Sequence, residues 1–128
     1  KIMKHKKTKF FILITIILVV CLFFAGCIPS TMSKAKKKMM NKGYILTKEE
    51  EFQQPDENGL LGRLLFAKKD NVSEGCDAYL YDTEENAKKM LEGSLDTVFI
   101  GGDYYRVKYG KWIILGSSQA LRDFKSII

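Results

Sequence analysis

The chain has 128 residues, the size of a single domain, and a formal net charge of +6. The excess of positive charge is local, because five lysines fall within the first nine residues, which contain no acid. Residues 27–128 contain 16 basic and 15 acidic side chains and are close to neutral. Composition therefore argues against the basic surface that nucleic-acid binding requires, and no nucleic-acid partner is expected.

An uncharged segment follows the basic start. Residues 10–28 contain no charged side chain, and polar residues return from Pro29 onward. A basic start, an apolar stretch and small residues before a cut predict a secretory signal peptide over residues 1–26. An uncleaved signal anchor is the alternative, because nineteen apolar residues are also long enough to span a bilayer. Both interpretations place the rest of the chain on the extracytoplasmic face.

The end of this segment carries a family resemblance. Phe24-Ala25-Gly26-Cys27 resembles the lipobox of bacterial lipoproteins, in which two small residues precede an obligatory cysteine. In that family a diacylglyceryl group is attached to the cysteine, and a signal peptidase then cuts before it. The resemblance implies lipidation of Cys27 and localisation at the cell membrane, since two acyl chains anchor a protein stably. Phe24 departs from the family, which most often has leucine there.

The mature chain is predicted to start with a lipidated tether, residues 27–33, followed by a single domain, residues 34–128. Ser33 and Gly43 are typical of a helix start and stop, and the apolar spacing between them predicts a helix over 34–42. Its lysines either contact anionic headgroups or form an ordinary solvated face.

Strand and turn signals follow. The sequence predicts a strand over 44–47, a polar loop over 48–59, a strand over 60–68, a turn near 70–75 and a strand over 78–81.

The second half alternates in the same way. Asp82 with Glu85 resembles a capping box and predicts a helix ending at Gly93. Strands are predicted over 97–100, 104–109 and 112–115, with a two-residue II′ turn at Gly110-Lys111. A last helix follows Gly116-Ser117. Its apolar stripe is Ala120, Leu121, Phe124, Ile127 and Ile128.

This order predicts an α+β fold, with an antiparallel sheet of about five strands and two to three helices packed on one face. The pattern resembles small α+β lipoproteins of uncharacterised function from low-GC Gram-positive bacteria. A monomer without metal or disulfide is expected, because a domain of this size can be held by its apolar core.

Residue types suited to catalysis are scarce. Residues 27–128 contain no histidine, the usual general base near neutral pH. Cys76 opens a predicted strand and is interpreted as a small buried thiol rather than a nucleophile. Asp70, Asn71 and Glu74 lack the alternating spacing of a calcium loop. The sequence therefore predicts no catalytic, cofactor or metal site.

Strand alternation predicts a candidate partner surface. If Leu80, Tyr105 and Val107 point into the core, their neighbours point outward. The candidate partner surface consists of Tyr79, Tyr81, Tyr104, Arg106 and Lys108, with Arg63 and Leu65 from the next strand. Tyrosine and arginine are enriched in protein interfaces. Ordinary cross-strand pairing is the alternative explanation.

The favoured function is a non-catalytic binding or inhibitory module of the cell envelope, anchored to the membrane and acting on an envelope protein. A structural accessory subunit of a membrane complex and a carboxylate-dependent hydrolase are the alternatives.

Overall fold

The computed structural model of the chain describes residues 28–91 and 97–126. Within these ranges the helices are α1 (Met32–Asn41), α2 (Glu84–Lys89) and α3 (Ser118–Lys125). The strands are β1 (Tyr44–Glu51), β2 (Leu60–Lys68), β3 (Gly75–Tyr81), β4 (Thr97–Gly101), β5 (Tyr104–Tyr109) and β6 (Trp112–Ser117). They form one antiparallel sheet, so the predicted α+β class is confirmed, with six strands in place of about five.

The sheet consists of two three-stranded meanders joined at the centre. Its strand order is β1-β2-β3-β6-β5-β4, so β3 of the first meander pairs with β6 of the second. In that central pair Cys76 lies opposite Gly116, and Leu80 lies opposite Trp112. The predicted turn between β5 and β6 is also present, since Gly110 has a φ of 58° and Lys111 does not have a positive φ, as a II′ turn requires.

The inner face of the sheet is the one against which α1 and α3 pack. Its fully buried strand side chains are Leu64, Phe66, Cys76, Ala78, Trp112 and Ile114. The helices contribute Ala35, Met39, Ala120 and Phe124, none of which is exposed. Burial of each large apolar side chain contributes roughly 1.5–3 kcal/mol, so this layer is the main source of stability.

The outer face carries helix α2, whereas α1 and α3 pack on the inner face, so two of the three helices in the described ranges share one face. A second apolar cluster joins Ala87 of α2 and Leu91 to Tyr81 and Ile113. Tyr81 and Ile113 are sequence neighbours of the inner-face residues Leu80 and Trp112, and side chains alternate along a strand. Helix α2 covers these outward apolar side chains at one end of the sheet.

Some element boundaries differ from the predicted ones. Helix α1 starts at Met32, because the Thr31 side chain accepts a hydrogen bond from the Lys34 amide and caps the helix in place of Ser33. In the same way Thr83 caps α2, while Asp82 accepts a hydrogen bond from the Asn86 side chain.

Strand β1 is longer than predicted, and its second half was expected to be a loop. A bulge between Leu46 and Lys48 shifts the register, after which the strand continues to pair with β2 as far as Glu51. The predicted helix end at Gly93 and the apolar residues Ile127 and Ile128 lie outside the described residues.

The segment before α1 packs against the domain. The buried indole Nε1 of Trp112 donates a hydrogen bond of 2.6 Å to the carbonyl oxygen of Pro29. Ile28 packs against the inner-face core, and Trp112 meets Phe124 edge-on with ring centroids 5.1 Å apart. The packed unit therefore extends to residue 28, into the segment interpreted as a tether.

A chain of residues 34–128 is expected to be less stable than one of residues 28–128. The shorter chain loses the buried Met32 side chain, the Thr31 cap and the acceptor for the Trp112 indole, which together contribute roughly 4 kcal/mol. Urea unfolding of the two chains measures the difference. Thr31→Ala in the longer chain isolates the cap, at about 1 kcal/mol. Equal unfolding midpoints for the two chains would show that residues 28–33 contribute nothing.

Candidate functional site

The part of the outer face that α2 leaves uncovered carries a polar cluster on β2 and β3. We call Arg63, Asp77 and Tyr79 the outer-face cluster. Arg63 lies opposite Tyr79 in the register of the two strands, and Asp77 lies two pairs further along, on the same face. The side chains of Arg63 and Asp77 are only 24% and 16% exposed.

The carboxylate of Asp77 is the centre of this cluster. Arg63 donates hydrogen bonds of 2.7 Å from Nε and from Nη2, one to each carboxylate oxygen, and the Tyr79 hydroxyl donates a third of 2.9 Å. The guanidinium carbon of Arg63 also lies 5.2 Å from the centre of the Tyr79 ring. Such a two-point arginine–carboxylate pair fixes both side chains in orientation as well as in distance.

The surroundings of the cluster keep Tyr79 neutral and Arg63 charged. Burial, together with the hydrogen bond to Asp77, raises the pKa of Tyr79 to about 12, so the phenol remains a neutral donor. The hydrogen bond to Asp77 raises the pKa of Arg63. Because three donors already engage the Asp77 carboxylate, we interpret it as an organising group of the face rather than a general base.

Sequence reasoning missed Asp77. The signal that could have found it is an acidic residue between two core residues, Cys76 and Ala78, on a strand whose neighbour carries an arginine. A half-buried carboxylate in such a place needs a partner, and the arginine is the natural one.

A cleft opens at one end of the sheet, where the β2–β3 loop approaches the turn between β4 and β5. We call it the Tyr104 cleft; its volume is about 420 Å³ and its walls are mostly apolar. Its lining includes Thr47, Leu65, Ala67, Val72, Ser73, Gly75 and Tyr104. A more polar cleft adjoins it and shares Ser73 and Tyr104. Burial, and to a smaller extent the charge of Asp77, raises the pKa of Tyr104.

Arg106 presents an unsatisfied donor on the same face. Its Nε atom is buried and has no hydrogen-bond acceptor within residues 28–91 and 97–126. On the two neighbouring strands it lies opposite Leu115 and Val98, neither of which offers a side-chain acceptor. A buried donor without a partner costs about 1–3 kcal/mol, which an acceptor would recover once the Arg106 side chain turned toward it.

The candidate partner surface is therefore smaller than predicted. Tyr79, Tyr104, Arg106 and Lys108 are half-buried on the strands as the alternation implied. Tyr81 was predicted to belong to this surface but is not exposed there, because α2 and Ile113 cover it and only 7% of it is exposed. Cys27, the predicted lipidation site, lies outside the described residues.

Cys76 is buried, as predicted. It is 1% exposed, and burial raises the pKa of its thiol to about 12, which disfavours the nucleophilic thiolate. Gly116 on β6 lies directly against it, since an added Cβ there would come within 2.6 Å of the Cys76 Cβ. In the part of the chain that the structure describes, no group of three or more histidine, cysteine or acidic side chains is placed to hold a metal ion.

Comparison with known proteins gives no relative. No protein-family model, no curated protein and no solved structure matches the chain. None of the helices in the described ranges is both long and apolar enough to cross a membrane.

Asp77→Asn is expected to lower the free energy of unfolding by about 2 kcal/mol, because it weakens charged hydrogen bonds that are largely shielded from water. Glu57→Gln is the matched control, since Glu57 is an exposed carboxylate of the loop between β1 and β2, away from the cluster. A surface substitution of this kind changes stability by at most about 0.5 kcal/mol. Urea unfolding measures both variants.

A second measurement distinguishes the loss of hydrogen bonds within the outer-face cluster from a general loss of stability. The chain has six tyrosines, so the assigned ring ¹³Cζ NMR signal of Tyr79 in the folded protein reports its pKa, which Asp77→Asn should lower and Glu57→Gln should leave in place. Similar losses of stability for the two variants, with the Tyr79 titration unmoved, would show that Asp77 does not organise this face.

Proposed function

We propose that this chain is a lipid-anchored extracytoplasmic lipoprotein of the cell membrane, and that its domain is a non-catalytic binding or inhibitory module. One observation carries the proposal. Ala25-Gly26-Cys27 follows an uncharged segment and ends immediately before Ile28, which packs against the inner-face core. A cut after Gly26 would remove no residue of the described domain and would leave Cys27 as its lipidated first residue.

Two acyl chains on Cys27 would retain the domain at the membrane without a spanning helix. In this proposal the lipid anchor determines where the protein is located, and the sheet carries its binding activity.

The outer face favours binding over catalysis. The Asp77 carboxylate is engaged by three donors, and the Cys76 thiol is buried. By contrast the Tyr104 cleft is open, and Arg106 Nε has no acceptor within the described residues. A partner that places an apolar side chain in the cleft and a carbonyl or carboxylate oxygen at Arg106 would satisfy both. An envelope protein offers both kinds of group.

A specific feature favours the accessory-subunit alternative. The edge strand β4 carries no charged side chain, and Phe99 and Ile100 on it are 63% and 53% exposed. The opposite edge strand, β1, carries Lys48 and three glutamates, which discourage pairing with another strand. An uncharged edge can accept a strand from a neighbouring protein. Stable co-purification with one membrane complex would favour this alternative.

Cys27→Ser is expected to abolish processing and lipidation, because serine lacks the thiol to which the diacylglyceryl group is attached. In the unchanged protein, mass spectrometry should find an N-terminal diacylglyceryl cysteine, and the protein should stay with the membrane fraction.

Cys21→Ser is the matched control, because Cys21 lies within the predicted leader and should leave with it. If Cys27→Ser is processed and retained like the unchanged protein, the lipoprotein proposal is wrong. The uncleaved signal anchor would instead give a chain that keeps residues 1–26 in both variants.

Tyr104→Ala combined with Arg106→Ala is expected to weaken partner binding at least tenfold, since it removes the wall of the cleft and the unsatisfied donor. The partner is first captured from detergent-solubilised envelopes with the tagged mature domain. Its affinity for each variant is then measured by titration, and far-UV circular dichroism checks the fold.

Lys37→Ala combined with Arg122→Ala is the control for charge, because both side chains are exposed on the helices of the inner face. Undiminished binding by the Tyr104 and Arg106 variant would show that this face is simply the outside of the sheet.

A further inference from the structure

The chain leaves the domain at one corner, and its course there is fixed by contacts. Pro29 is buried, and its carbonyl oxygen accepts the hydrogen bond of 2.6 Å from Trp112. Thr31 caps α1 two residues later, and Ile28 packs against the core. From Ile28 onward the described chain therefore contains no free spacer.

The position of Cys27 follows from covalent geometry. It is joined directly to Ile28, and one residue of extended chain spans at most about 3.6 Å. A lipid on Cys27 is accordingly held within one residue of the folded surface.

Several elements meet at this place, which we call the exit corner. It is formed by Ser30, Lys34 at the start of α1, and Lys111 in the β5–β6 turn. Lys34 reaches back to the Ser30 hydroxyl at 3.3 Å, and Lys111 is exposed. Glu84, in the first turn of α2, is the acidic residue lining the same corner.

The Tyr104 cleft lies at the other end of the same strands. Trp112, beside the exit corner, is the first residue of β6, and Ser117, which lines the polar cleft next to Tyr104, is the last. Five steps along an antiparallel strand cover roughly 17 Å. The exit corner and the Tyr104 cleft therefore lie at opposite ends of β6.

We propose that the anchored domain has a fixed orientation, in which the exit corner lies against the phospholipid headgroups and the Tyr104 cleft points away from the membrane. This inference rests on lipidation of Cys27. It adds that the lipid surface itself is a docking partner of Ser30, Lys34 and Lys111. Two lysines against one glutamate suit this corner to a phosphate-rich surface.

The test places a fluorescent probe at either end of the sheet in the lipidated protein, reconstituted in phosphatidylglycerol and phosphatidylcholine vesicles. Ser33→Cys, beside Lys34 at the start of α1, carries the probe at the exit corner, and Ser73→Cys carries it at the cleft; both serines are exposed. The introduced cysteine is the accessible thiol, because Cys27 is acylated and Cys76 is buried. A lipid with a nitroxide on its headgroup quenches a probe that lies close to the surface.

The probe at residue 33 is expected to be quenched several-fold more strongly than the probe at residue 73. An insert of about six glycine and serine residues between Cys27 and Ile28 supplies slack and should bring the two values together. Circular dichroism of each labelled protein checks that the fold is kept.

Equal quenching at the two positions in a protein that carries the diacylglyceryl mass would overturn the fixed orientation and leave the lipoprotein proposal standing. An unchanged contrast after the insert would overturn the claim that the short connection sets it. Absence of the diacylglyceryl mass on Cys27 would overturn both this inference and the proposed function.

Discussion

Trp112 holds together three parts of the chain that are distant in sequence. Its ring is 1% exposed, packs edge-on against Phe124 of α3, and lies opposite Leu80 of the central strand β3. A buried indole N–H needs an acceptor, and the carbonyl oxygen of Pro29 provides it. The start of the described chain, the centre of the sheet and the last helix are therefore positioned by one side chain, which also determines where the proposed anchor is attached.

The two faces of the sheet differ in how their polar groups are satisfied. The inner face is apolar and covered by α1 and α3. The outer face carries both hydrogen-bonded polar groups and a donor that has no acceptor among the described residues. Near the middle, Arg63 and Asp77 satisfy one another. Toward the Tyr104 cleft, Arg106 retains a donor without an acceptor among the described residues. Arg106 lies on β5, whose pairing with β6 fixes its backbone, so under the proposed function little additional backbone entropy would be lost on binding.

Periodicity and turn chemistry were enough to predict most elements, because alternation in β5 and the glycine at 110 report backbone geometry directly. The charged half of β1 was missed because an edge strand facing water needs no apolar pattern, and its pairing depends on β2. The position of α2 had a signal, since Tyr79-Leu80-Tyr81 and the run that starts at Trp112 are apolar on both faces of their strands. The unsatisfied donor of Arg106 had no signal in the sequence, because the sequence alone does not say which acceptors the neighbouring strands bring close to it.

The central pairing of β3 with β6 has a consequence for how the chain is made. Strand β3 is complete at Tyr81, but its partner does not begin until Trp112. If the first meander forms before β6 is available, β3 is left as an unpaired apolar edge strand. Such an edge can pair with another chain, and it becomes the centre of the finished sheet. Aggregation is therefore a hazard of the unfinished chain, which closure of β6 over β3 removes.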